Sequence, residues 1–128
     1  MSHSHPVIAL VEDDLPTNRA FARLLRAQGY EVETFVSAER LLACWGLTRF
    51  DCMLLDINLD GMSGLDLQRR LQQQGISIPI IFMTGGDDPG ARSRAYDFGC
   101  SDFLHKPFSG CDLVEAISNA MAGPHSNY

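Results

Sequence analysis

Apolar residues recur along the chain in two alternating rhythms. Short apolar or β-branched runs at residues 6–11, 30–36, 53–55, 78–83 and 102–105 each predict a strand. Between them, apolar positions return at helical spacing. Asp14 or Leu15 caps the first helix, with Pro16 in its first turn and Gly29 at its end. Phe21, Leu24, Leu25 and Gln28 share one face of that helix, and Arg19, Arg23 and Arg26 share another. Ser37 opens a second helix, which turns Ala38, Leu41, Leu42 and Trp45 inward. Ser63-x-x-Asp66 is a capping-box pattern before a third, with Leu67 and Leu71 inside and Gly75 at the end. Asp88 and Pro89 start a fourth, whose inner face is Ala91, Ala95 and Phe98, and Gly99 ends it. A second capping box, Ser109-x-x-Asp112, opens a fifth with Leu113, Val114, Ile117 and Met121 on one side. Strand and helix thus alternate five times, which predicts a doubly wound α/β fold: a five-stranded parallel sheet with helices on both faces.

At 128 residues the chain makes one domain, expected over 6–122, with a flexible tail at 1–5 and a tail or linker at 123–128. The composition, 45% hydrophobic and 20% charged, is that of a folded protein. A net charge of -6 disfavours nonspecific nucleic-acid binding, which needs clustered Lys and Arg. No apolar run approaches the ~20 residues of a membrane span and no signal-peptide pattern opens the chain, so a cytoplasmic location is expected. Cys44, Cys52, Cys100 and Cys111 show no Cys-x-x-Cys spacing and read as reduced core or near-core thiols. His3, His5 and His125 fall in the tails, where solvation is the expected state.

In a doubly wound fold, ligands bind outside the carboxyl ends of the strands. The unusual polar residues fall on that edge: Glu12, Asp13 and Asp14 after the first strand, Asp56 and Asn58 after the third, Thr84 after the fourth, Lys106 after the fifth. Residues 52–64 are the most telling stretch, an apolar run that breaks into Asp56, Asn58 and Asp60 and then Gly61 and Gly64. Alone, Asp56 would end a strand and cap a turn. Three adjacent acids on the neighbouring loop repel one another, and a cation nearby relieves that cost.

Taken together, Val-Glu12-Asp13-Asp14, Leu-Leu-Asp56-Ile-Asn58-Leu with Gly61-Met62-Ser63-Gly64-Leu65, Thr84-Gly85, and Asp102-Phe103-Leu104-His105-Lys106-Pro107-Phe108 resemble the receiver domain of two-component response regulators. The resemblance runs from about Val7 to Ala122 and is strongest to receivers that precede a helix-turn-helix output domain. It implies a flavodoxin-like sheet in the order 2-1-3-4-5. It also implies a phosphorylation-activated signalling switch, not a turnover enzyme, with Asp56 accepting a phosphoryl group from a histidine kinase or histidine phosphotransfer protein. Mg²⁺ would be held by Asp13, Asp56 and the Asn58 backbone carbonyl, with Glu12 reaching it through water. Asp14 lies outside the family's acidic pair and is given a capping role. Lys106, before a family cis-proline bond, would pair with the phosphoryl oxygens. Thr84 and Phe103 match the switch hydroxyl and switch aromatic, and Gly85 leaves room for the donor. The fourth helix, fifth strand and fifth helix would form the output or homodimer surface, with no nucleic acid or membrane bound by this chain itself.

Two positions depart from the family pattern: Asp60 stands where most members carry proline, and His105 precedes the lysine where other residues are commoner. Gly86, two residues past Thr84, occupies with Asn58 a position that influences dephosphorylation in the family. Rival chemistries fit less well. Asp56-x-Asn58-x-Asp60-Gly61 starts like an EF-hand loop, but Leu67 stands where the bidentate Glu is required. A Mg²⁺-dependent phosphohydrolase with Asp56 as nucleophile is the main alternative, yet Asn58 cannot protonate a leaving group. A flavin phosphate would be repelled by the acids after the first strand.

Overall fold

All five apolar runs become strands in a computed structural model that describes residues 5–47, 49–86 and 89–122. In chain order the elements are β1 (Val7–Val11), α1 (Leu15–Ala27), β2 (Glu31–Phe35), α2 (Ala38–Ala43), β3 (Cys52–Asp56), α3 (Gly64–Gln73), β4 (Ile80–Thr84), α4 (Pro89–Asp97), β5 (Asp102–His105) and α5 (Gly110–Ala122). The strands form one parallel sheet in the order β2-β1-β3-β4-β5. Its register aligns Val11 with Leu55, Asp56 with Met83 and Thr84 with His105, so the polar residues that end the apolar runs share one edge.

Strand alternation divides the core in two. Ala9, Val11, Met53, Leu55, Ile80 and Phe82 face α2, α3 and α4 through Ala38, Leu41, Leu67, Leu71, Ala91 and Ala95. Ile8, Leu10, Cys52, Leu54, Ile81 and Met83 face α1 and α5 through Ala22, Leu25, Leu113, Ala116 and Ile117. β1, β3 and β4 are covered on both faces, which is why they read as continuous apolar runs. Edge strand β2 buries only Val32 and Phe35, which point to opposite layers.

Caps fall where the sequence places them. Asp14 caps α1 and accepts from the Thr17 amide and hydroxyl, Ser37 caps α2, and Ser63 and Asp66 form the reciprocal box at the start of α3. Ser109 and Asp112 exchange the same pair of bonds before α5. The expected cap Asp88 lies outside the described residues, as do the segments 1–4 and 123–128, with His3 and His125. His5 is exposed.

Some inner faces differ from the expected ones. Gln28 is exposed at the end of α1, and the buried positions there are Asn18, Ala22 and Leu25. Phe21 and Leu24 pack at the margin, where Phe21 stacks on Phe108 with ring centroids 5.4 Å apart. On α5, Ala116 and Ala120 are buried while Val114 and Met121 are half-buried. β4 starts at Ile80, later than expected, because Pro79 precedes the ladder and supplies only its carbonyl, to the Met53 amide. Trp45 packs against Phe50, as a residue at the edge of the core. All four cysteines are free thiols. Cys52 and Cys100 are buried, and burial pushes them up to about 12 and about 11, whereas Cys111 is exposed and does not fit the expectation of a near-core thiol.

Gly64 deserves a side chain least of all. A Cβ there would lie 2.7 Å from the Asp56 carbonyl oxygen and 3.1 Å from both the Ile57 Cα and the Phe82 ring. Backbone and buried ring have nowhere to move, so the first turn of α3 can close on the end of β3 only with glycine. Gly64→Ala is therefore expected to cost about 1–3 kcal/mol, the usual range for overpacking, measured by urea denaturation. Wild-type stability in that variant would mean that the close approach is not made in solution.

Candidate phosphoacceptor site

Asp56 is the last residue of β3, 6% exposed, with both carboxylate oxygens engaged. Oδ1 accepts from the Asn58 amide at 2.8 Å, and Oδ2 accepts from Lys106 Nζ at 3.0 Å. Lys106 follows β5 and reaches across β4 because its backbone amide is fixed on the Thr84 carbonyl at 2.7 Å. Its ammonium also donates to Glu12 Oε1 at 2.7 Å, and the Lys106–Pro107 bond is cis. Glu12, at 1% exposure, spends its other oxygen on the Asp14 amide. Asn18, buried on α1, ties the site's frame by donating to the carbonyls of Glu12 and Phe35.

Charge and burial compete at Glu12. Burial raises the Glu12 carboxyl above its ordinary value. The Lys106 and Asp14 hydrogen bonds pull it back, and the Asp56 charge pushes it further up. Burial alone would lower Lys106, but its hydrogen bonds and charge interactions with Glu12 and Asp56 outweigh that and leave it raised. The ammonium therefore keeps its proton and neutralises the Glu12–Asp56 face of the site.

Glu12, Asp13 and Asp56 each place one ligand oxygen within 4.8 Å of the others, a grouping that can hold a metal ion. All three donors are hard carboxylate oxygens, and the site opens to solvent beside Asp13, which suits a small divalent cation that keeps several waters. Asp13 Oδ2 also accepts from the Asp60 amide at 3.3 Å, a donor that proline at position 60 would not supply. One turn further, the Met62 amide donates to Glu39 Oε2 at 2.9 Å. Two carboxylates from other elements thus hold the loop after Asp56, and Gly61 (φ +76°) makes its turn.

On the other side, Thr84 ends β4 at 5% exposure, and its Oγ1 accepts from Asn58 Nδ2 at 3.3 Å and from the Gly86 amide at 3.1 Å. Phe103 on β5 is half-buried and tilted against Phe82, with centroids 6.4 Å apart. His105 is exposed at the strand end, and Gly85 is exposed in front of the Lys106 stem. The fold thus brings together Glu12, Asp13, Asp56, Asn58, Thr84 and Lys106, while Asp14 stands aside as a cap. Asn18, Glu39 and the Asp60 amide were not anticipated. Only the spacing Asn18, Ala22, Leu25 on one helical face signalled the first of them.

Residues 8–118 match the family model described as the response regulator receiver domain. The chain belongs to the response regulator receiver family. This receiver is 40% identical to Nodulation protein W of Bradyrhizobium diazoefficiens over 87% of its own length and 49% of the relative's. It is 39% identical to the response regulator protein TmoT of Ectopseudomonas mendocina over 94% of its length and 55% of that protein's. The chain spans about half the length of the curated relatives it matches. Among solved structures, FixJ-N superposes with a TM-score of 0.86 at 32% identity, covering 94% of this chain and 96% of that one. A CheY-like receiver protein from Methanospirillum hungatei gives 0.87 at 27% identity, over 93% and 95%. The matched proteins are signalling regulators, and the phosphohydrolase alternative finds no support among them. Among the described residues, no helix is long and apolar enough to cross a membrane.

Proposed function

We propose that this receiver takes a phosphoryl group onto Asp56 from a histidine kinase or histidine phosphotransfer protein, with Mg²⁺ as its cofactor. The observation that carries the reading is the single carboxylate shared by two arrangements, the acidic group with Glu12 and Asp13 and the bridge to Lys106. A carboxylate oxygen of Asp56 bonds to phosphorus while the phosphorus–nitrogen bond of the donor breaks, and the imidazole leaves with its proton restored. Asp56 is a weak nucleophile, so positioning and charge neutralisation do the work. Asp13, Asp56 and the Asn58 backbone carbonyl would hold the cation, with Glu12 reaching it through water, and it would supply positive charge to the phosphoryl oxygens. Lys106 supplies the protein's own positive charge from the other side.

The product adds about -1.5 to -2 charges and strong acceptor oxygens. Thr84 and Lys106 turn to those oxygens, and Phe103 moves from its half-buried place into the core. α4, β5 and α5 then shift between two pre-existing arrangements, which makes that face the output or homodimer surface. The partner kinase and the regulated process belong to the cellular context, which phosphotransfer profiling against the histidine kinases of the source organism identifies. We place the receiver in the cytoplasm.

The test of the site is cation binding. Asp13→Asn should weaken Mg²⁺ affinity by about tenfold or more, since even an outer partner of a metal ligand is worth that much. Calorimetric titration reads it. Unchanged affinity would remove Asp13 from the site.

A further inference from the structure

Asn58 makes two bonds with different destinations. Its backbone amide serves Asp56, while its side chain crosses from the β3 end to the β4 end and donates to Thr84 Oγ1. With the Gly86 amide as second donor, both lone pairs of that hydroxyl oxygen are occupied. Asn58 is itself exposed, so its side chain is not held there by packing. A Cβ on Gly86 would sit 3.6 Å from Asn58 Nδ2 and 3.9 Å from Thr84 Oγ1, so the three groups are in mutual contact.

We propose that Asn58 is a positioning residue that acts through Thr84: its carboxamide holds the switch hydroxyl at the resting end of β4 and must release it before the hydroxyl turns toward a group on Asp56. The inference rests on the phosphoacceptor reading and adds to it a latch. The resting state is stabilised by a bond that the activated state gives up, so the latch sets the balance between the two. The hydroxyl gives up the bond it accepts from Asn58 as it turns to donate its own O–H to a phosphoryl oxygen, and no covalent bond changes in the latch itself.

Beryllofluoride, a phosphoryl mimic that needs no donor, tests the latch in the presence of Mg²⁺. Asn58→Ala keeps the backbone bond to Asp56 and removes only the side-chain donor. It should bind beryllofluoride more tightly than wild type, by roughly two- to tenfold, the range that one net neutral hydrogen bond supplies. In the ligand-free variant, the amide resonances of Thr84, Gly85 and Gly86 should move toward their beryllofluoride-bound positions. In a Thr84→Val background the Asn58 substitution should have no effect on affinity, because the residue it acts through is gone. Equal or weaker binding by Asn58→Ala overturns the latch, and so does tighter binding that persists without the Thr84 hydroxyl. Wild-type protein that binds no beryllofluoride at all is a different failure: it overturns the phosphoacceptor reading, and the latch with it.

Discussion

Asp56→Asn is expected to incorporate no phosphate above background when incubated with acetyl phosphate and Mg²⁺, while wild type acquires one phosphoryl group per chain, read by intact mass. The substitution is conservative in shape. An amide oxygen can still accept from the Asn58 amide at the Oδ1 position, so the end of β3 keeps its turn. What disappears is the carboxylate charge and the nucleophilic oxygen that faces Lys106. A second consequence separates loss of chemistry from loss of fold. The Asp56 charge is one of the influences that raise Glu12, so the Glu12 carboxyl should titrate lower in the variant, by carboxylate-detected NMR. Asp60→Asn, which changes an exposed acid of the same loop, should still take phosphate. Incorporation that survives in Asp56→Asn moves the acceptor to another residue.

Lys106→Ala should change more than one property. The ammonium touches Glu12 at 2.7 Å and Asp56 at 3.0 Å, and both partners are buried. Without it two like charges face each other with no counterion, and the cation-free protein should lose about 1–3 kcal/mol at neutral pH while remaining folded. The pH dependence has a definite sign. Glu12 is raised in the folded protein, and losing Lys106 raises it further. The folded state then binds protons more readily than the unfolded chain above the ordinary value of 4.5, so the deficit grows as pH rises from there toward the folded value. In wild type the raised Lys106 contributes fully below its ordinary 10.5, and that contribution is lost only as pH rises through its folded value. Added Mg²⁺ should restore much of the variant's stability, since it brings positive charge to the same carboxylates. Phosphate uptake should be slow, and β5 resonances should no longer follow it. A variant that takes phosphate at the wild-type rate and switches normally contradicts the role given to Lys106.

The sheet and its polar edge were legible because both are written locally. Fully buried strands read as unbroken apolar runs, and acids or a threonine at their ends break those runs at residues such as Glu12, Asp56 and Thr84. The capping boxes at Ser63 and Ser109 were legible for the same reason, since both partners lie within one turn. The connections between elements were not. Asn58 to Thr84 spans 26 positions, Asp13 to Asp60 spans 47, and Glu39 to Met62 spans 23, and nothing in the local rhythm pairs them. Gln28 was misplaced because helical spacing continues past the last turn of α1, where the chain has already left the core. The buried Gln68, which holds α4 by donating to the Ala95 and Phe98 carbonyls, escaped notice because a polar residue on an α3 face reads as solvated. Asp60 illustrates both limits: its departure from the family pattern was visible, but the use of its amide by Asp13 required the fold.

The cluster of one lysine and three acids around the β3 end predicts a single chemical address. Wild-type protein treated with acetyl phosphate and Mg²⁺, reduced with borohydride to trap the acyl phosphate and then digested, should carry its one modified side chain at position 56. A modified residue anywhere else, or none with Mg²⁺ present, would contradict the reading of Asp56 as the phosphoacceptor.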